Sequence, residues 1–257
     1  MATILALALG AIANPIPPGW TCNGICGSSG ADGVVKLSPT GNSQFQWIST
    51  DMGISGVGAL AGVGGAGFPT NGSTLETPVF AAGAGAALNF YFNYVTSDGA
   101  GYADYAWAQL LDSASNPLAL LFTARTAPSG SIVPGFDMPA LNASLNPASV
   151  PIIGGGPDWS PLGGSSGACF DVGCGYTGWI NSNYTIGAAG DYILEFGVTN
   201  WNDTAFQSGM AIDGVTVAGV PVGGPPPPST VPEPGTLLLL GSGLLGLVGP
   251  LKRRLGY

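Results

Sequence analysis

The 257 residues suffice for one domain of ordinary size plus appended signals, and 46% hydrophobic with only 7% charged side chains fits neither an average cytosolic enzyme nor a charged disordered chain. Between Asn14 and Thr230, 13 acidic residues stand against only Lys36 and Arg125, a net of minus 11 with no basic patch to displace counterions, so nucleic-acid binding is excluded. The absence of histidine removes Ser-His-Asp triads, Cys-His dyads and almost every catalytic zinc site.

Residues 4–13 form a short apolar run that ends in Ala11-Ile12-Ala13, the small-x-small pattern of a signal-peptidase site, before the Pro-rich start at Asn14-Pro15. This predicts a cleaved signal peptide over 1–13, although the basic segment that normally precedes such a run is missing. A buried N-terminal strand is the alternative.

The body, 14–223, reads as all-β. Short strands are expected at 34–37 and 45–49. Residues 88–95 alternate cleanly, with Leu88, Phe90, Phe92 and Tyr94 on one face. Strands follow at 106–111 and around 118–124, the latter with Leu118, Leu120, Phe122 and Ala124 inward. Two more close the body, 191–199 with Tyr192, Leu194, Phe196 and Val198 inward, and 211–217, where Asp213-Gly214 breaks the phase and predicts a bulge. Residues 126–190, rich in Gly, Pro and Ser, are expected to be a long loop excursion packed over one sheet or edge. Many short strands between polar turns predict an antiparallel β-sandwich, with the jelly roll as one form of it.

Four cysteines fall in two close pairs, Cys22 with Cys26 and Cys169 with Cys174, and an exported chain meets an oxidising compartment. Three pairings are open; local closure is favoured over the crossed alternatives, and a four-thiolate zinc site is disfavoured by the loose spacing. Asp98 and Asp104, in the loop after the 88–95 strand, and Asp213, at the bulge, are candidate calcium ligands because calcium takes hard carboxylate and carbonyl oxygens. The plainer reading is that these aspartates cap turns. Trp107, Trp159, Trp179 and Trp201 are the candidates for stacking on sugar rings, and Glu76 and Glu195 are the body's only glutamates for a glycosidase pair, with no spacing that singles them out. The Asn-x-Ser/Thr sites at Asn71, Asn142, Asn183 and Asn202 are read as chance matches.

Pro225, Pro226, Pro227 and Pro228 make 224–230 an extended polyproline linker. Beyond it stand the signature Val231-Pro232-Glu233-Pro234, an apolar stretch over 236–251, and the basic cluster Lys252-Arg253-Arg254. Sixteen helical residues reach roughly 24 Å, a marginal transmembrane span, and the three basic residues would stay cytoplasmic. In this order the parts of 231–257 resemble the PEP-CTERM sorting tail of exported bacterial proteins. The resemblance implies that an exosortase cuts near the Pro-Glu-Pro signature and passes the body to the cell surface or to extracellular polysaccharide. An ordinary, uncut membrane anchor is the alternative. The body also resembles a recurrent group of PEP-CTERM exported proteins, through Gly19-Trp20-Thr21-Cys22, Cys26-Gly27, residues 94–105 and residues 169–175. That resemblance implies no catalytic activity.

The expectation is therefore a non-enzymatic surface or matrix protein, with calcium as a candidate ion and no required cofactor. Its alternatives are a lectin-like carbohydrate-binding module and a secreted polysaccharide-active enzyme using an Asp/Glu pair. A flat aromatic strip would favour the lectin; a convergent carboxylate pair would favour the enzyme.

Overall fold

Eight strands carry the fold: β1 (Phe45–Ser49), β2 (Pro69–Glu76), β3 (Ala87–Thr96), β4 (Tyr105–Asp112), β5 (Pro117–Arg125), β6 (Ile180–Thr185), β7 (Gly190–Trp201) and β8 (Ser208–Val217). The computed structural model describes residues 15–223. The expected signal segment 1–13, linker 224–230, and sorting tail 231–257 with the transmembrane helix expected there, lie outside the described residues. No helix among the described residues is long and apolar enough to cross a membrane.

The strands form two antiparallel sheets, ordered β1-β8-β3-β6 in the first and β2-β7-β4-β5 in the second. Every connection except the β4–β5 hairpin crosses from one sheet to the other, which makes the sandwich a jelly roll. Ile25–Ser29 and Ser144–Asn146 extend the first sheet at its two edges, and Thr21–Asn23 extends the second beside β2. In the hairpin, Asp112 holds the turn by accepting bonds from the backbone N–H groups of Ala114 and Asn116 and from the Asn116 amide.

The alternation over 88–95 places Leu88, Phe90, Phe92 and Tyr94 in the core without measurable exposure, and β7 does the same with Leu194, Phe196 and Val198. Rings join the two sheets: Phe92 stacks on Phe122 at 3.7 Å between centroids, and Phe90 meets Phe196 edge to face at 5.3 Å. Each such buried side chain contributes about 1.5–3 kcal/mol.

Strand β5 departs from the expected pattern. Phe122 and Leu120 pair with the adjacent residues Ala108 and Gln109, so Leu121 is an extra residue in a bulge. The bulge flips the phase: Ala119 and Leu121 enter the core ahead of Phe122 and Ala124, while Leu118 is exposed and Leu120 packs on the outer face beside Trp107. The expected strand over 34–37 reduces to one bridge between Asp32 and Val35, because Val35 is drawn onto the outer face of the first sheet against Trp159 and Leu162. The 126–190 excursion does cover that sheet through Trp159 and Leu162, but it also supplies β6 and short strands such as Ser131–Val133 and Gly175–Tyr176.

The expected bulge in β8 is present between Asp213 and Thr216. Gly214 takes φ +64° there, and a Cβ on it would come within 2.4 Å of Thr40 Cγ2. Met210 and Ile212 face the core before the bulge, and Val215 and Val217 after it.

Candidate functional site

Both cysteine pairs close locally, Cys22 with Cys26 and Cys169 with Cys174, with Cα separations of 6.1 and 5.6 Å. The first joins Thr21–Asn23 of the second sheet to Ile25–Ser29 of the first, clamping the sheets together at one edge. The second closes a loop that lies over the 97–102 turn, where Phe170 N–H donates to the Ser97 carbonyl and Ala100 N–H to the Val172 carbonyl.

Beneath that loop, Asp98 and Asp104 are buried at 1% and 0% exposure. Asp104 accepts from the Trp201 N–H at 2.7 Å and from the Ser208 hydroxyl at 2.6 Å. Asp98 Oδ1 accepts from the Gly99 N–H at 2.6 Å, while its Oδ2 is buried without a partner. Burial, joined by the charge of Asp203, pushes the Asp98 carboxyl up to about 7. Burial and then the charge of Asp98 hold Asp104 well above the usual carboxylate range.

Asp213 does not join them. It lies five residues along β8 from Ser208, about 17 Å at the rise of a strand, and so cannot share an ion with Asp104. Its carboxylate accepts from the Ser38 and Thr40 hydroxyls, from the Asn42 amide at 2.8 Å and from the Gly214 N–H at 2.7 Å. The bulge thus aims Asp213 at the 38–42 loop, and the expected set of Asp98, Asp104 and Asp213 is not assembled. Among the described residues no three His, Cys, Asp or Glu side chains are grouped to hold a metal ion.

The candidate tryptophans for stacking on sugars are mostly structural. Trp159 lies under the first sheet's outer cover, and Trp107 and Trp201 form an outer cluster with Tyr105 at 2% and 4% exposure. Trp179 is half-buried, edge-on to Phe45, with its indole N–H on the Lys36 carbonyl. The guanidinium of Arg125 is sandwiched between the rings of Trp201 and Phe136 and donates to the Ala103 and Gly64 carbonyls, so the one arginine of the described residues serves packing.

A groove of about 660 Å³ opens on the outer face of the second sheet. Its floor carries Glu76 of β2 and Glu195 of β7, which are cross-strand partners, with Gln109 of β4 opposite Glu195 on the other side. Gln109 Nε2 donates to Glu195 Oε2 at 2.7 Å. Burial, and then the neighbouring Glu76 charge, raise the Glu195 carboxyl above its ordinary value. The walls are Thr21, Asn23 and Thr74 on one side and the 56–59 backbone on the other. Trp107 closes the base, its ring lying over Gly197, where a Cβ would come within 2.3 Å, and its indole N–H on the Gly58 carbonyl at 2.8 Å. Neither Lys36 nor Arg125 lines the groove.

No curated protein matches the chain. Among solved structures, the enzymatically active domain of bacteriophage CBA120 tailspike protein 4 aligns at 11% identity and a TM-score of 0.34, over 78% of this chain and 19% of that one. This chain therefore spans about a fifth of the tailspike's length, and a likeness at that level assigns neither fold nor activity. Residues 230–254 match the family model for the PEP-CTERM protein-sorting motif. The match takes in the Val231-Pro232-Glu233-Pro234 signature, the apolar stretch and the basic residues Lys252, Arg253 and Arg254. The chain thus contains a PEP-CTERM sorting domain, the motif of exported, cell-surface-directed proteins of the kind that an exosortase processes.

Proposed function

We propose that the jelly-roll body is a non-enzymatic surface or matrix module that holds neutral extracellular polysaccharide in the Glu76–Glu195 groove. On this reading it is delivered by the 1–13 signal and held briefly in the membrane by the 236–251 segment. Cutting near Glu233 then releases it, and it needs no metal.

The observation that carries the reading is the groove lining. Carboxylates, a side-chain amide and hydroxyls line an open groove, the donor and acceptor set that pairs with sugar hydroxyls. The acidic body disfavours polyanionic glycans.

The Glu76–Glu195 register supports a second reading, hydrolysis of the bound glycan. Glu195, raised toward its protonated form, would protonate the leaving glycosidic oxygen as the Glu76 carboxylate bonded to the anomeric carbon, and water deprotonated by Glu195 would then displace Glu76 and release the sugar. Directly opposed residues project side by side from one sheet face, so a sugar ring would lie over both carboxyls and not between them. That geometry favours holding over cutting.

The test incubates the purified full chain with polysaccharide isolated from the producing cells. The expected result is retention on the polysaccharide, lost at least tenfold in the double variant Glu76→Gln, Glu195→Gln, with no new reducing ends. Reducing ends that vanish in Glu195→Gln would establish hydrolysis instead, and retention equal to that of the double variant would remove the groove from both readings.

A further inference from the structure

The loops at one end of the sandwich gather three aromatic rings near the surface. Tyr102 of the 97–102 turn lies edge to face with Phe170 of the second disulfide loop, at 5.5 Å between centroids, and Phe170 lies 4.9 Å from Phe206 in the loop that joins β7 to β8. Phe170 is 47% exposed, and Val172 beside it is 56% exposed. Phe206 takes φ +51°, a region that bulky side chains rarely adopt, so its surroundings impose its place. Those surroundings are tied together. The Cys169–Cys174 bridge closes the loop of Phe170, the Phe170 N–H donates to the Ser97 carbonyl, and the Gln207 N–H donates to the Ser165 hydroxyl at 3.2 Å. The three rings thus form a preformed platform, on which a partner loses little freedom to ordering.

The charge around the rings is of one sign. Asp171 follows Phe170 directly at an exposed position, and Asp203 belongs to the loop that carries Phe206. Each spends one carboxylate oxygen on a backbone N–H of its own loop, Val172 at 2.7 Å and Ala205 at 3.1 Å, and has the other to offer. Asp98 lies beneath with its Oδ2 unpartnered, near enough for the Asp203 charge to act on its carboxyl. Neither cation of the body answers these acids. Lys36 Nζ sits on the Gly33 carbonyl at 2.7 Å, and the Arg125 guanidinium is held between the rings of Trp201 and Phe136. A purely apolar partner would cover the carboxylates without a countercharge, at a desolvation cost. A lysine or arginine side chain stacks its charge on a ring and pairs with a carboxylate at once.

The platform also faces away from the tail. Strand β8 begins beside it at Ser208 and ends at Val217, about 30 Å away, from where the chain continues toward the linker. We propose that the Tyr102–Phe170–Phe206 platform, with Asp171 and Asp203, is a docking surface for a basic segment of a partner polypeptide, a lysine or arginine side chain lying on the rings with its charge against the carboxylates. This surface is separate from the glycan groove, since Glu195 stands six residues back along β7 from Trp201, about 20 Å from this end.

Calorimetric titration of the purified full chain with the peptide Gly-Arg-Gly-Arg-Gly tests it, with Gly-Gln-Gly-Gln-Gly and cellotriose titrated in parallel. The expected result is saturable binding of the arginine peptide with Kd near or below about 1 mM, and at least tenfold weaker binding of the glutamine peptide. Phe170→Leu keeps the apolar bulk and the net charge but removes the ring, and weakens binding tenfold. Asp203→Asn weakens it at least threefold, while the double variant Glu76→Gln, Glu195→Gln leaves it unchanged. Thermal unfolding identifies any variant that fails to fold, and Tyr102→Leu carries the test if Phe170→Leu does. No saturable heat with the arginine peptide, or binding that a folded Phe170→Leu leaves intact, would overturn the proposal, the latter reducing it to diffuse attraction by an acidic body. Cellotriose heat that Phe170→Leu abolishes would overturn it in favour of a sugar platform.

Discussion

Glu195 on β7 and Glu76 on β2 stand directly opposite each other in antiparallel register, in a groove that neither basic residue of the body lines. Like charges in that relation repel, so the pair lowers stability while both are ionised. Glu195→Gln keeps the acceptor for Gln109 and removes the repulsion. The expected gain at pH 7 is about 0.2–1 kcal/mol, a rise of roughly 1–4 °C in Tm by calorimetry. Because the folded Glu195 carboxyl is raised, its wild-type contribution is best in acid and is lost as pH rises, so the gap between variant and wild type should close toward pH 4.

The buried acids set a second pH dependence. A carboxyl at about 7 in the folded chain and near 4 when unfolded favours the fold below pH 4, and this contribution is lost as pH rises from 4 through 7. Asp104 shifts in the same direction. Tm should therefore fall between pH 5 and pH 8, and Asp98→Asn should flatten that fall. Since Asp213 stands apart from Asp98 and Asp104, adding calcium or EGTA should leave Tm unchanged; a calcium-dependent rise would return a metal to the Asp98 end.

Each disulfide closes a short loop, for which restriction of the unfolded chain is worth about 2 kcal/mol. Cys22→Ala with Cys26→Ala should lower Tm by roughly 4–8 °C and loosen the groove wall at Thr21 and Asn23. Cys169→Ala with Cys174→Ala should also weaken the pH dependence assigned to Asp98, because the loop that covers it is freed. Calorimetry across pH separates the two effects.

Gly214→Ala tests the bulge. The added methyl meets Thr40 Cγ2 in a backbone conformation that disfavours side chains, so a loss of about 1–3 kcal/mol is expected in chemical denaturation. Gly219, also at positive φ but with open space around its Cβ position, should tolerate alanine better.

The sequence made the core strands legible and left the groove hidden, for one physical reason. Strands β3, β7 and β8 alternate because their inner faces are apolar, and even the Asp213-Gly214 bulge announced itself as a break in phase. Strand β2, Pro-Thr-Asn-Gly-Ser-Thr-Leu-Glu, contributes only Leu75 as a large core side chain, so it carries no alternation, and Glu76 sits at its end. In β6 the inward Ser182 spends its hydroxyl on the Leu121 carbonyl, which masks the period that Ile180 and Tyr184 would show. Without β2 in the second sheet, nothing set Glu76 against Glu195. The bulge at Leu121 was hidden because Leu118, Leu120, Phe122 and Ala124 form an unbroken apolar alternation of their own.

Intact-mass analysis of the protein recovered from the surface or surrounding matrix of its native cells is the most direct test. The account predicts a chain that starts near Asn14, ends close to Glu233 and has lost four hydrogens to two cysteine pairs. A native form that still carries Arg253, or one with four free thiols, would contradict it.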